Sequence, residues 1–437
     1  MLRIVLTAAV WAAATVPAQG APATASQPAG ALAPQVAVFQ LRDEIVEQPP
    51  AVSFGLGRER EGTLYELVRR LTKAQKDERV KAVVVTFEEP LMGWGQLQEL
   101  RGALAALRRA NKDVFCYLEE VSGGIYQLAA AGSRVCIAPA GQIDLKGLYL
   151  ESPYFKGLLD KIHLEADIEH VGAYKSAGEA FTRTGPSEEA RAMLEWISRD
   201  LFEQMVGTIA DGRRMTTEEV RALIDEGPFD AKQALEAGLV DEILDADAFL
   251  DTLYDRYGEE VEVARDYGIE EGPQVDFSSP FAFFKLLGES ISKKKGKTRS
   301  AVAVVYIDGV IVTGRTEPGL FGYSGEVGST TLRRTLARLR EDDSTKAVVV
   351  RVDSPGGSAT ASDIIWQAVC DLADAKPTVV SMGNVAASGG YYVSAPAMTI
   401  FADPGTITGS IGVIGGKLVT KGLWDWLGVS FEEVSIG

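Results

Sequence analysis

Asn384-Val385-Ala386-Ala387-Ser388-Gly389-Gly390 is a glycine-rich loop that follows an apolar, strand-like run at residues 378–382. A second loop, Asp353-Ser354-Pro355-Gly356-Gly357, lies roughly thirty residues earlier and follows another apolar run, residues 347–352. Glycines have no Cβ, so they let backbone N–H groups approach a ligand closely, and Ser388 places a hydroxyl at a strand-to-helix turn. Backbone donors beside an exposed hydroxyl are the parts that acyl transfer at a serine requires.

A serine hydroxyl is a weak nucleophile unless a base takes its proton. The chain holds two histidines, His163 and His170, and both lie in the half without Ser388, so a Ser-His-Asp triad would have to form across the halves. A lysine can replace histidine if burial lowers its pKa from about 10.4. Lys175 is the best candidate, because small residues and a tyrosine flank it in the segment from His170 to Gly178.

The chain repeats itself at an offset of about 265 residues. Residues 81–85 recur at 346–350, and Ser122-Gly123-Gly124 matches Ser388-Gly389-Gly390. Each copy alternates β-branched runs with helical patterns, which predicts parallel strands joined by crossover helices. We therefore expect an α/β fold built from two tandem domains.

Four motifs together resemble the signal peptide peptidase A family, also called protease IV, whose members are serine peptidases with a Ser-Lys dyad. The motifs are Gly172–Ala177, Asp353–Gly357, Ala387–Tyr392 and Thr408–Val413, and the resemblance runs from about Pro34 to the last residue. It implies tandem Clp-protease/crotonase-like domains with parallel sheets and crossover helices. It also implies a homo-oligomer, since two-domain members assemble into a tetrameric bowl.

The resemblance further assigns roles position by position. It implies that Ser388 is the nucleophile, Lys175 the general base, and Ser410 the residue that hydrogen-bonds the lysine amine and orients it. The N–H groups of Gly357 and Gly389 would form the oxyanion hole. No metal or organic cofactor is implied, and the sequence contains no motif typical of a zinc, calcium or P-loop site.

The first copy lacks parts of this predicted site. Glu88-Glu89-Pro90-Leu91-Met92 stands opposite Asp353–Gly357, and its leucine and methionine would prevent close backbone approach. Ser122 keeps the Ser-Gly-Gly triplet, but Leu145 stands opposite Ser410. We therefore expect Ser122 to be a turn residue, and a second active site is the alternative.

The second copy is expected to be truncated, because the counterpart of Lys175 would lie three residues past the end of the chain. We then predict five segments: a signal peptide or N-terminal anchor at 1–21, an Ala/Pro-rich spacer at 22–33, a lysine-supplying peptidase-family domain at 34–271, a linker at 272–300, and a serine-supplying peptidase-family domain at 301–437.

Two of these segments, the N-terminal one and the linker, leave alternatives open. The apolar stretch at residues 4–16 is shorter than the roughly 20 residues of a membrane span, so a cleaved signal peptide and an uncleaved anchor both remain. Either predicts export, to the periplasm or the inner membrane. The aromatic run at 277–287, followed by lysines, predicts either a helix on a membrane surface or a linker helix packed on a domain.

Composition excludes one class of partner. A net charge of −17 in 437 residues argues against nucleic-acid binding. Cys116, Cys136 and Cys370 lie in apolar runs, so we expect buried free thiols, with a Cys116–Cys136 disulfide as the alternative if their strands are neighbours. The apolar residues at positions 194, 197, 201 and 205 are spaced three or four apart, as on the core face of a helix.

The function predicted from these features is an exported serine endopeptidase that cleaves signal peptides or other short peptides in or near the membrane. Two other readings remain open. A crotonase-type acyl-CoA enzyme shares the implied fold and uses paired N–H groups for an enolate, although the apparent signal peptide argues against it. The other alternative is a catalytically inactive scaffold, which the expected truncation favours.

Overall fold

The computed structural model describes residues 33–48, 63–269, 300–317 and 325–436. The predicted signal or anchor segment, nearly all of the spacer and nearly all of the linker lie outside these residues. Residues 34–437 form one compact unit, distinct from residues 1–33. The domain boundaries predicted within that unit stay a prediction.

The first copy spans β1 to β8 and α1 to α9. Its strands are β1 (Gln35–Glu44), β2 (Val80–Leu91), β3 (Asp113–Ser122), β4 (Arg134–Asp144), β5 (Glu165–His170), β6 (Phe229–Asp230), β7 (Glu242–Ile243) and β8 (Glu262–Ala264). Its helices are α1 (Leu64–Lys76), α2 (Trp94–Arg109), α3 (Gly123–Ala129), α4 (Lys156–Lys161), α5 (Glu179–Thr182), α6 (Glu188–Arg213), α7 (Thr217–Glu226), α8 (Ala231–Glu236) and α9 (Ala246–Tyr257).

The second copy spans β9 to β16 and α10 to α13. Its strands are β9 (Ala301–Asp308), β10 (Val310–Val312), β11 (Glu326–Gly328), β12 (Thr345–Ser354), β13 (Thr378–Ala387), β14 (Thr399–Phe401), β15 (Ile407–Gly409) and β16 (Ile414–Val419). Its helices are α10 (Ser329–Glu341), α11 (Ala359–Ala375), α12 (Gly389–Ser394) and α13 (Lys421–Leu427).

One strand order recurs in both copies. The first sheet runs β6-β4-β3-β2-β1-β8 with β7 also beside β4, and the second runs β14-β13-β12-β9 with β15 also beside β13. Val36 pairs with Ala82 in the first sheet, and their counterparts Val302 and Ala347 pair in the second. All pairs in the two sheets are parallel except β4 with β6. The predicted α/β class with parallel sheets and crossover helices is confirmed.

Side chains alternate between the two faces of the first sheet, as the two-residue period of a strand requires. Val83 and Val85 of β2 pack in the core formed with α1, α2 and α3, whereas Ala82 and Val84 pack with Phe249 and neighbouring residues of α9. The corresponding outer face of the second sheet is less covered: Val302, Val304 and Phe401 are exposed, and no described helix lies where α9 would be.

The same alternation separates two of the cysteines. Cys116 on β3 and Cys136 on β4 occupy neighbouring strands, but they pack in the cores on opposite faces of the sheet. Both are buried and free, so the prediction of buried thiols is confirmed for this pair and a disulfide is not formed. Burial raises the pKa of each thiol to about 12, which leaves both uncharged. Cys370 is free and half-buried.

The predicted core stripe of α6 is wrong for the first half of this helix. Met205 is buried, but Leu194, Ile197 and Leu201 are only half-buried, and Trp196 beside them is 68% exposed. With 26 residues the helix is about 39 Å long, and only its second half packs against the core that the first sheet forms with α1, α2 and α3.

Across the residues that the structure describes, no helix is both long and apolar enough to cross a membrane.

A buried arginine joins the two copies. The guanidinium of Arg351, on β12, donates to both carboxylate oxygens of Glu47 at 2.9 and 3.0 Å and lies 2.6 Å from the carboxylate of Glu99 on α2. It also donates to the hydroxyl of Ser381 and the carbonyl of Met382. Burial alone would lower the pKa of Arg351, but the hydrogen bonds and charges of the two glutamates raise it above its ordinary value.

Removing this cation should strongly destabilise the protein. Arg351→Met leaves the buried carboxylate of Glu47 and the half-buried carboxylate of Glu99 without a cation, and we expect the free energy of unfolding to fall by about 3–5 kcal/mol, measured by urea titration. The matched control is Arg340→Met, which breaks the largely exposed pair of Arg340 with Asp371 and should cost no more than about 1 kcal/mol. Equal losses in the two variants would contradict a structural role for the buried group.

Candidate active site

Ser388 lies at the turn between β13 and α12 in a strained backbone conformation. Its φ of 52° and ψ of −114° place it in the region that favours glycine. Both ends of the turn are held: the Ser388 N–H donates to the Gly409 carbonyl at 2.8 Å, and the Tyr392 N–H donates to the Ser388 carbonyl at 2.9 Å. The hydroxyl therefore projects from a fixed, sharp turn.

The two glycine-rich loops pack directly against each other. Gly356 has a φ of 96°, and a Cβ placed on it would lie 2.5 Å from the Gly389 nitrogen and 2.9 Å from the Ser388 Cβ. A Cβ on Gly389 would collide with the Ser362 hydroxyl. Only glycine therefore lets the first loop reach the base of the Ser388 turn.

Two backbone N–H groups beside Ser388 are free to bind a ligand. The Ile311 N–H donates to the Gly356 carbonyl, and the Ser358 N–H donates to the Ile311 carbonyl, so this ladder skips the N–H of Gly357. Gly389 is the first residue of α12, where the N–H has no acceptor within the helix. Neither N–H donates a hydrogen bond to any residue in the described ranges.

A two-stranded sheet between the copies carries Lys175 to this turn. β5 of the first copy pairs antiparallel with β16 of the second, from Glu165 opposite Val419 to His170 opposite Ile414. Beyond that ladder, the Val171 N–H donates to the Val413 carbonyl at 2.9 Å. The turn that follows β5 therefore lies against the loop that precedes β16.

The lysine amine is buried and contacts two serines. Lys175 is 5% exposed, and its Nζ lies 2.8 Å from the Ser388 Oγ, 2.7 Å from the Ser410 carbonyl oxygen and 3.1 Å from the Ser410 Oγ. Desolvation lowers the pKa of Lys175 below its ordinary value. A neutral amine can donate both N–H groups to Ser410 and accept the Ser388 hydroxyl proton at its lone pair.

The structure does not bring the other candidate residues to Ser388. The His163 ring packs on Trp426, and the His170 Nδ1 lies 3.0 Å from the Gly172 carbonyl. Neither histidine is hydrogen-bonded to the Ser388 hydroxyl. Ser122 is the N-cap of α3, with its Oγ 3.5 Å from the Ile125 nitrogen, and Leu145 is buried. In the described part of the chain, no cluster of histidine, cysteine or acidic side chains could hold a metal ion.

Sequence reasoning missed a hydrogen-bonded pair of polar residues, Asp353 near the end of β12 and Asn384 four residues before Ser388. The Asp353 carboxylate accepts the N–H groups of Asn384 and Val385, at 3.2 and 3.0 Å, and the Asn384 side-chain amide at 2.9 Å. Burial raises the pKa of Asp353, and these backbone hydrogen bonds partly offset the rise. The signal available in the sequence was an acidic residue, Asp353, directly after the apolar run at residues 347–352.

Comparisons with known proteins point to one family. The family model described as Peptidase family S49 matches residues 106–263 and 371–437. "Serine protease SPPA, chloroplastic" from Arabidopsis thaliana is 29% identical over 86% of this chain and 53% of its own. "Protease 4" from Salmonella typhi is 32% identical over 87% of this chain and 60% of its own, and "Protease 4" from Haemophilus influenzae is 31% identical over 85% and 60%.

The chain thus spans between half and two thirds of the length of these curated relatives. The family match covers about half of the chain and includes Lys175, Ser388, Gly389 and Ser410, four of the five residues to which the sequence resemblance assigned roles. It agrees with the tandem Clp-protease/crotonase-like fold expected from that resemblance. The chain belongs to peptidase family S49.

Proposed function

We propose that this protein is a serine peptidase with a Ser388–Lys175 dyad. The observation that carries the proposal is the buried amine of Lys175, 2.8 Å from the Ser388 hydroxyl, with no carboxylate among the described residues paired to hold it charged. A lysine whose pKa is lowered by desolvation can act as a general base near neutral pH. The strained Ser388 turn supports the same role, because strain of this kind concentrates at catalytic residues.

The reaction would proceed through an acyl-enzyme. Neutral Lys175 takes the proton of the Ser388 hydroxyl as its oxygen attacks the peptide carbonyl carbon, and the N–H groups of Gly357 and Gly389 bind the resulting oxyanion. The Lys175 ammonium, held by the carbonyl and hydroxyl of Ser410, then returns the proton to the leaving amine nitrogen. A water molecule, deprotonated by the same amine, hydrolyses the ester and regenerates Ser388.

The proposed substrates are signal peptides or other short, extended peptides met after export, in the periplasm or at the inner membrane. Apolar side chains around the dyad support substrates of this kind, because peptide segments rich in leucine and valine gain by covering them. Val171 and Tyr174 on the Lys175 side, and Ile411 and Val413 on the Ser410 side, are each more than half exposed.

We also propose that the chain forms a homo-oligomer, a tetramer by family resemblance, through the contact that joins its own copies. The counterparts of β16 and β5, 265 residues away, are residues 149–154 and 430–435. Apart from the half-buried Tyr154 these residues are exposed, and neither segment has a strand partner in the described structure. If the register of β5 with β16 recurs between molecules, Leu150 lies opposite Val434. Such a head-to-tail contact uses two different surfaces and closes only as a ring.

Removing either member of the dyad should abolish peptide hydrolysis. We expect Ser388→Ala and Lys175→Met each to lower kcat/KM for a peptide ester by about 10³-fold or more, and Ser388→Ala to lose labelling by a fluorophosphonate. Lys175→Met should fold as stably as the wild type, since it replaces an amine that folding desolvates. Ser122→Ala is the matched control, because Ser122 begins the equivalent Ser-Gly-Gly triplet of the first copy. This variant should keep full activity. A Lys175→Met variant with wild-type turnover would end the dyad proposal.

The pH dependence should report the Lys175 amine. Only the neutral amine can accept a proton, so kcat/KM should rise with pH through the pKa of Lys175, at a midpoint below its ordinary 10.5. The measurement is the rate of fluorophosphonate labelling at Ser388 against pH. Labelling of Lys175→Met should be slow and lack this rise. A rise that survives in that variant would assign it to another group.

The assembly proposal is tested by a charge on the predicted contact. Val434→Lys should dissociate the oligomer, because it places an ammonium opposite Leu150 in a strand pair. Light scattering after gel filtration gives the mass. Met398→Lys, a substitution at an exposed apolar residue of another surface, should keep the wild-type mass. A monomeric wild type would contradict the proposal.

A further inference from the structure

Helix α2 of the first copy receives its N-terminal cap from the second copy. Its N-cap residue is Gly93, which has no side chain, and the N–H of Gln96 donates instead to the Asn384 Oδ1 at 3.1 Å. The equivalent helix of the second copy, α11, is capped by its own Ser358, whose Oγ accepts the Ala361 N–H at 3.3 Å. Ser358 stands 265 residues after Gly93, so Asn384 replaces a cap that the first copy does not have.

The glycines at this end of α2 make room for the second copy. A Cβ on Gly93 would collide with the side chain of Asn384, and a Cβ on Gly95 would lie 2.7 Å from the Gly383 carbonyl oxygen. The end of β13 therefore lies directly on the first turn of α2. The fit excludes any larger residue at these two positions unless the copies separate.

The other end of the Asn384 side chain reaches an irregularity in the sheet. Its amide donates to the Asp353 carboxylate at 2.9 Å. The pairing of β12 with β13 shifts at this point, since Val352 is opposite Met382 but Ser354 is opposite Ala386. β13 thus carries two extra residues here, and Asp353 accepts the N–H groups that the shift frees. The bulge ends just before Ser388.

We propose that Asn384 is a positioning residue that sets the distance between Ser388 and Lys175 by bridging Gln96 of the first copy and Asp353 of the second. The inference rests on the proposed peptidase function. Asn384 fixes the bulge that precedes the nucleophile, and it ties that bulge to the copy that supplies the base. A shift of this bridge moves the hydroxyl relative to the amine.

Two further contacts of α2 limit the ways in which this bridge can move. Glu99, one turn along the helix, contacts Arg351 of β12, and the Gln98 Oε1 accepts the Gly405 N–H at 2.7 Å. These contacts hold the copies together without touching the bulge. Loss of the Asn384 bridge should therefore loosen the bulge while the copies remain docked.

The test separates positioning from general stability by kinetics on the full chain. Asn384→Ala removes both hydrogen bonds, and we expect kcat for a peptide ester to fall by about 10²-fold with KM within about threefold of wild type. Asn384→Asp keeps an acceptor for the Gln96 N–H but sets a carboxylate against Asp353, so kcat should fall at least as far.

Gln98→Ala is the matched control, since it removes a hydrogen bond between the copies away from the bulge, and its kcat should match the wild type. Unchanged kcat in Asn384→Ala, or an equal loss in Gln98→Ala, would overturn the inference. The proposed function fails differently, because the wild type itself would then neither hydrolyse the ester nor be labelled at Ser388.

Discussion

Antiparallel pairing of β5 with β16 is the constraint on which the candidate site depends, because it carries strand hydrogen bonds from one copy to the other. The ladder is six residues long, and Lys175 follows it by five residues while Ser410 precedes it by four. A slip of one residue would displace the strands by about 3.4 Å and turn each side chain to the opposite face. The register of this short ladder therefore determines whether the amine reaches both serines.

Directional polar contacts hold the copies in that register at a second place, the first turns of α2. Buried ion pairs contribute little net stability, since desolvation offsets their attraction, but they tolerate far less sliding than apolar surfaces do. The Arg351 guanidinium with Glu47 and Glu99, and the amide of Asn384, accept only one relative position of the copies. We attribute the placement of the dyad to such contacts more than to the hydrophobic cores, which lie within each copy.

The sequence predicted the α/β class and the tandem copies, because the 265-residue repeat is a periodic signal. The three residues that meet at the site were named by the resemblance of local motifs to a known family. It could not reveal the contact of Asn384 with Gln96, which joins positions 288 residues apart and leaves no periodic trace. The stripe of α6 was misread because spacing shows a helix face and not what lies against it. Whether Cys116 and Cys136 form a disulfide depends on two facts, that their strands are neighbours and that they occupy opposite faces of the sheet.

The first copy lacks parts of the candidate site that the second copy keeps. Leu91 and Met92 stand where the second copy has Gly356 and Gly357, and Leu145 stands where it has Ser410, whereas the lysine comes from the first copy. Duplication starts from identical halves, so each such loss made one half dependent on the other. No single substitution would give the first copy a complete candidate site of its own, and separating the copies would take Lys175 away from Ser388 and Ser410. Selection must therefore act on both halves together, because both supply residues to one candidate site.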